Sequence, residues 1–259
     1  MDHIDMVYQI NVSSPPKGGI QLRVESLNWP TKKKNRENKM ERLSFIVAIV
    51  LSLVMISAIA EAQSISQVLL IPREGESSSL DFMLAKEVGV MTDLLQKAGF
   101  KVVVANVSGQ PIEGLIKKLK PDLKLSEVKV DAYAGVVLAC MAVGLFPGPP
   151  VSPEAVSIVK QAVAKGKPVA AVLGAVYILA EAGVLKGKRY AFVDDPLNQL
   201  PPNTKDLRFE GAIYSGPGVV QDGNIITSGV CPMAEAFTGM RDCTPELTRA
   251  FIAQLGRKR

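Results

Sequence analysis

Residues 166–187 read GKPVAAVLGAVYILAEAGVLKG, an apolar run that turns into a second apolar run through Leu173-Gly174-Ala175. The first half, 168–173 (PVAAVL), has no polar side chain, as expected of a strand buried on both faces. The second half, 175–182, reads as a short helix ended by Gly183. A parallel strand that turns sharply into a helix lifts its turn residue above the carboxyl edge of the sheet, beside the helix's free amides. Nucleophile elbows sit at such turns. Here the turn residue is Leu173, which offers no chemistry and, taken alone, marks a packing turn.

The same alternation extends in both directions. Residues 67–71 (QVLLI), 101–105 (KVVVA) and 135–139 (GVVLA) are short apolar strands, and 188–193 (KRYAFV) is strand-like. Helices are expected over 80–98, ended by Gly99; over 153–165, with Pro153 in the first turn and Gly166 after the end; and over about 245–255. Residues 218–228 (GVVQDGNIITS) read as a hairpin with Asp222-Gly223 at its turn. Apolar strands separated by helices predict an α/β fold: a three-layer sandwich with a mostly parallel sheet covered on both faces.

The chain has 259 residues, 47% hydrophobic and 21% charged, which excludes a disordered or collagen-like class. Thirty basic against 25 acidic residues leave +5, too mild a balance over this length to imply nucleic acid as a partner. Its one histidine, His3, lies at the extreme N-terminus, so the rest of the chain holds no His triad, Cys-His dyad or His-rich metal site. Three cysteines, Cys140, Cys231 and Cys243, are too few and too widely spaced for structural zinc. No Gly-rich phosphate loop supports a nucleotide, and no cofactor or metal is expected.

Residues 1–39 lack a sustained hydrophobic period and contain Pro15-Pro16, Gly18-Gly19 and a basic run at 32–36; they read as a disordered or mis-assigned extension. Residues 40–62 then have the form of a signal peptide. A short polar start from Met40 leads into eighteen uncharged residues, 43–60, and ends in Ala58-Ile59-Ala60-Glu61-Ala62. Cleavage after Ala60 or Ala62 would export a domain beginning near residue 63 to a periplasmic or extracellular compartment. An uncleaved segment of this length would instead anchor it to a membrane.

Within the helix 80–98, the apolar stripe Leu80, Leu84, Met91, Leu94, Ala98 has a carboxylate at position 87. An inward Glu87 must be hydrogen-bonded or protonated, which makes it a candidate proton donor or oxyanion partner; the alternative is a stripe-edge side chain reaching solvent. The loop at the end of the first strand carries Arg73, placed to contact an anionic ligand, among acids and serines that read as a solvated surface. Asp194-Asp195 beside Pro196 read as a turn, and Asn106-Val107-Ser108 fits a glycosylation acceptor pattern.

Taken together, 166–187, 131–139 (DAYAGVVLA), 220–228 (VQDGNIITS) and 87–99 (EVGVMTDLLQKAG) resemble the PfpI superfamily of intracellular proteases, deglycases and chaperone-like proteins. The resemblance spans most of residues 66–255. It implies a flavodoxin-like sandwich of the class I glutamine-amidotransferase type and association into homodimers or higher homo-oligomers. The family's acidic residue, twelve positions before the glycine that ends the first helix, matches Glu87. Its nucleophilic cysteine falls on Leu173 and the following residue on Gly174, so the usual thiol is missing. Its paired glycines after the third strand fall on Cys140-Met141, and the proline after the hairpin strand matches Pro232, which puts Cys231 near the pocket.

Three readings of Cys140 stay open: a small buried hydrophobe, a disulfide partner of Cys231, or a displaced nucleophile working with Glu87. The first two predict a non-catalytic, small-molecule-binding or chaperone-like protein. The third predicts a thiol-dependent hydrolase or a glyoxalase- or deglycase-like enzyme.

Overall fold

The computed structural model describes residues 66–72, 79–140, 151–193 and 206–256, all within the unit Gln63–Arg259. In chain order these form β1 (Gln67–Ile71), α1 (Ser79–Met83), a wide turn Leu84–Val88, α2 (Gly89–Lys97) and β2 (Lys101–Asn106). Short strands β3 (Ile112–Glu113), β4 (Lys118–Leu119) and β5 (Leu123–Lys124) precede β6 (Tyr133–Leu138), α3 (Pro153–Ala164) and β7 (Val169–Val172). After a tight turn Leu173–Ala175 come α4 (Val176–Glu181), β8 (Arg189–Tyr190), β9 (Ile213–Tyr214), β10 (Val219–Asp222), β11 (Ile225–Ser228), α5 (Pro232–Thr238) and α6 (Thr244–Gly256).

Seven strands make one sheet in the order β10-β11-β7-β6-β1-β2-β5, parallel throughout except for β10 against β11. Because strand side chains alternate, each strand feeds two cores. Leu69, Ile71, Val136, Leu138, Val169 and Ala171 pack with Ile158 of α3 and Ile178 of α4. Val68, Leu70, Val137, Ala139, Ala170 and Val172 pack with Met91 of α2 and Phe251 of α6. Full burial of each larger side chain is worth about 1.5–3 kcal/mol, so a strand buried on both sides has every reason to be apolar along its length. This is the flavodoxin-like sandwich expected from the sequence.

Several expectations change in detail. The helix 80–98 contains the wide turn Leu84–Val88, where the Gly89 N–H reaches back five residues to the Leu84 carbonyl. The extra residue rotates the remainder of the helix about its axis. Met83 and Leu95 are buried, whereas Leu84 and Leu94 are half-buried and Ala98 is exposed. The strand-like stretch 188–193 pairs only over Arg189–Tyr190, with β9 rather than with the main sheet. The hairpin turn is Gly223-Asn224, one residue later than expected, because Asp222 and Ile225 still pair; Gly223 supplies the positive φ of 65° at the first turn position. The pattern Asn106-Val107-Ser108 is no open acceptor: Asn106 is buried, donating Nδ2–H to the Gln110 carbonyl and accepting from the Gly109 N–H, each at 2.8 Å. The signal-like segment, Arg73, Met141 and Asp194-Asp195 lie outside the described residues. No described helix is long and apolar enough to cross a membrane.

Candidate functional site

Strand order reverses between β1 and β6, the switch point at which open α/β sheets leave a crevice beyond their carboxyl ends. The residues singled out in the sequence emerge around that edge. Leu138 of β6 pairs with Ala171 of β7, which pairs with Thr227 of β11, so the chain leaves three adjacent strands in one row. Cys140 follows the first, Leu173 the second and Cys231 the third.

At the middle strand, Leu173 has φ of 42°, and it is the one described non-glycine residue with positive φ. Backbone in this region costs an ordinary L-residue about 1–2 kcal/mol. The strained elbow is therefore present, with a half-buried leucine at its apex and buried Gly174 and Ala175 leading into α4. The Gly174 amide lies near enough to the Cys140 thiol to favour its deprotonated form.

Glu87 sits in the wide turn of the first helix and is 1% exposed. Its Oε1 accepts the backbone N–H of Cys140 at 2.9 Å, joining the first helix to the end of β6. The periodicity correctly placed this carboxylate inward. The hydrogen bond to Cys140 is made by its backbone amide, while the carboxylate charge also acts on the nearby thiol.

The Cys140 thiol instead interacts with the thiol of Cys231. Cys231 caps α5: its φ and ψ of −101° and 170° hold the sulfur over the first turn, where it accepts the Ala234 N–H at 3.4 Å, with the Met233 amide close by. The two thiols consequently differ in acidity. The interaction with Cys140, helped by these amides and opposed by burial, lowers Cys231 below an ordinary cysteine. The Cys140 thiol is pushed well up, first by the interaction with Cys231, then by burial and the nearby Glu87 charge, with the Gly174 amide opposing. All three cysteines are free and buried, and Cys243 stands apart, its Sγ directed to the Arg241 carbonyl at 3.5 Å.

The site thus assembles Glu87, Cys140, Gly174 and Cys231, with Leu173 at the elbow and Pro232 opening α5. Sequence reasoning missed α5 itself, and with it the capping role of Cys231. The signal was present in 231–238 (CPMAEAFT): a side chain able to accept hydrogen bonds, followed by proline at the first helical position. Among the described residues no group of three or more His, Cys, Asp or Glu side chains converges as a metal site.

A family profile described as DJ-1/PfpI family matches residues 80–240, more than half of the chain and the whole of this edge. The chain belongs to the DJ-1/PfpI family. An uncharacterized protein of Archaeoglobus fulgidus is 37% identical over 144 residues, 52% of this chain and 75% of that protein. Another, from Methanocaldococcus jannaschii, is 30% identical over 145 residues, 56% and 68% of the respective chains. Among solved structures, a ThiJ/PfpI domain protein from Brachyspira murdochii superposes with a TM-score of 0.56 at 18% identity, covering 75% of this chain and 99% of that one. At that identity the likeness speaks to the fold.

Proposed function

We propose that this chain is an exported DJ-1/PfpI domain that acts by binding a small molecule or in a chaperone-like way, without elbow-thiol catalysis. The observation that carries this reading is that both groups which would serve such a reaction are engaged by Cys140. The Glu87 carboxylate accepts the Cys140 N–H at 2.9 Å, and the elbow amide of Gly174 lies beside the Cys140 thiol. An oxyanion site needs donors aimed at the place where substrate charge develops, and a nucleophile needs a base or a lowered pKa. Leu173 has no nucleophile to offer, and Cys140 is shifted toward its protonated form. Export is inferred from residues 40–62 alone, and N-terminal sequencing of the secreted chain tests it.

For the site, the experiment is turnover of methylglyoxal by wild type, Cys140→Ser and Leu173→Cys. Binding without catalysis predicts no turnover above buffer for the first two. Wild-type turnover that is lost in Cys140→Ser would overturn the reading in favour of a thiol enzyme.

A further inference from the structure

The β3–β4 hairpin carries apolar residues at both ends, and only one end serves the core. At its base Ile112, 3% exposed, pairs with Leu119, which packs on the core beneath α2 and α6. At its tip Leu115 and Ile116 are 82% and 85% exposed, two adjacent large aliphatic side chains that the core does not use. Single apolar residues on a surface are ordinary, whereas an adjacent pair projecting from a turn offers a contact to something outside the chain. The backbone of this tip is already satisfied. Asp81 accepts the Leu115 N–H at 2.8 Å, the Ile116 N–H at 2.9 Å and the Lys117 N–H, and the Gly114 N–H donates to the Lys117 carbonyl at 2.8 Å. Irregular backbone enters an apolar phase only where its polar groups find partners within the protein, and four consecutive donors here have them. We propose that Leu115-Ile116 is a docking tip that inserts into the interface of an anionic phospholipid bilayer.

Charge selects the surface. Lys117, Lys118 and Lys120 are exposed beside the tip. The acids near them are engaged: Glu113 pairs with Lys118 at 3.0 Å, and Asp81 is held by the tip amides. Lysine stems lie along apolar surface while their ammonium groups stay in water, so these residues suit the boundary between acyl chains and anionic headgroups. Each cation close to an anionic leaflet adds to binding, and salt weakens that share. Shape favours lipid over a protein partner, because a flat protein face covers one side of a projecting pair whereas lipid closes around it. Two aliphatic side chains give reversible docking, far short of a spanning helix. The inference does not rest on the binding reading or on residues 40–62, because it needs neither the sheet-edge site nor a second membrane segment.

The test uses the full chain carrying Ile116→Trp, with wild type, whose one tryptophan is Trp29, as the blank. Vesicles of phosphatidylcholine and phosphatidylglycerol with brominated acyl chains should quench the variant's emission beyond that of the blank, a signal that reports the tip whatever else binds lipid. Pure phosphatidylcholine should require about tenfold more lipid or worse for the same quenching, and Lys117→Glu combined with Lys120→Glu should weaken binding to the mixed vesicles about tenfold. In wild type, the mixed vesicles should shield Lys117 and Lys118 from an amine-labelling reagent while Lys160 of α3 stays reactive, which decides the matter even where a variant fails to fold. Quenching no greater than the blank, or labelling of Lys117 and Lys118 unchanged by vesicles, overturns the proposal. Equal quenching on neutral vesicles overturns it as well. A tip tryptophan shielded from acrylamide without lipid, and exposed on dilution, would assign the surface to a second copy of the chain and overturn it in that way.

Discussion

The two sides of the central sheet are equally dry and differ in what they bury. The side covered by α3 and α4 holds an aromatic cluster: Tyr177 meets Phe192 and Phe209 edge-on at 5.5 and 5.3 Å, and Tyr190 lies between Phe209 and Tyr214. Its polar groups are few: Thr227 Oγ1 accepts the Ala191 N–H at 2.8 Å, and at the rim Arg208 pairs with Asp206 and covers the Tyr177 ring at 4.5 Å. The side covered by α2 and α6 buries Glu87, Cys140, Cys231 and Cys243 among its apolar residues. Apolar packing needs only shape and volume, whereas each buried polar group also needs a partner. The second side therefore depends on a few directed hydrogen bonds, and these converge on Cys140.

The largest expected effects test whether the sides are equally well packed. Tyr177→Ala and Phe251→Ala each remove a side chain that is at most 1% exposed, and each should cost about 3–5 kcal/mol in urea unfolding. A much smaller loss for Phe251→Ala would show the thiol-bearing side to be the looser one. Next comes the seam between the sides. A methyl group on Gly229 would lie 2.2 Å from the Phe192 carbonyl carbon, so Gly229→Ala should cost about 1–3 kcal/mol or more, and a neutral result would mean the seam yields.

Glu87→Ala leaves the Cys140 N–H without its acceptor and should lower stability by about 1–3 kcal/mol. Glu87→Gln keeps an acceptor and should recover most of that loss; equal losses would refute the directed-bond account. The smallest effect belongs to the rim of the aromatic side. Arg208 holds the Asp206 carboxyl below the ordinary Asp range against a burial cost, so the pair's stabilisation is complete above that range and fades as pH falls through the depressed folded-state value. Asp206→Asn should cost about 1 kcal/mol near neutral pH and flatten the acid limb of the stability curve. An unchanged acid limb would argue that the pair contributes nothing.

Much of this was legible in the chain. Unbroken apolar runs identified β1, β2, β6 and β7 because strands of a covered parallel sheet have no wet face. The inward position of Glu87 followed from helical spacing, even though the wide turn Leu84–Val88 changed its buried neighbours. The apex position of Leu173 followed from the strand-to-helix junction, while its strained φ did not. The short strands β3, β4 and β5 were missed because two-residue bridges leave no periodic trace. The hairpin turn shifted by one residue because pairing register, rather than the Asp-Gly signal alone, set the loop.

By itself the sequence determined the class of fold, the family, the elbow without a reactive residue and the set of thiols and carboxylate that could share an edge. Those properties are local, written in periodicity, glycine placement and residue type. Tertiary structure alone decided which of these groups meet. Glu87 could have faced either the Cys140 sulfur or its amide, and Cys140 could have turned toward the carboxylate or toward a cysteine ninety-one residues further along the chain. That choice depends on strand register and on α5, which sets the Cys231 sulfur over its own first-turn amides, and no short-range pattern encodes the direction in which a buried hydrogen bond points.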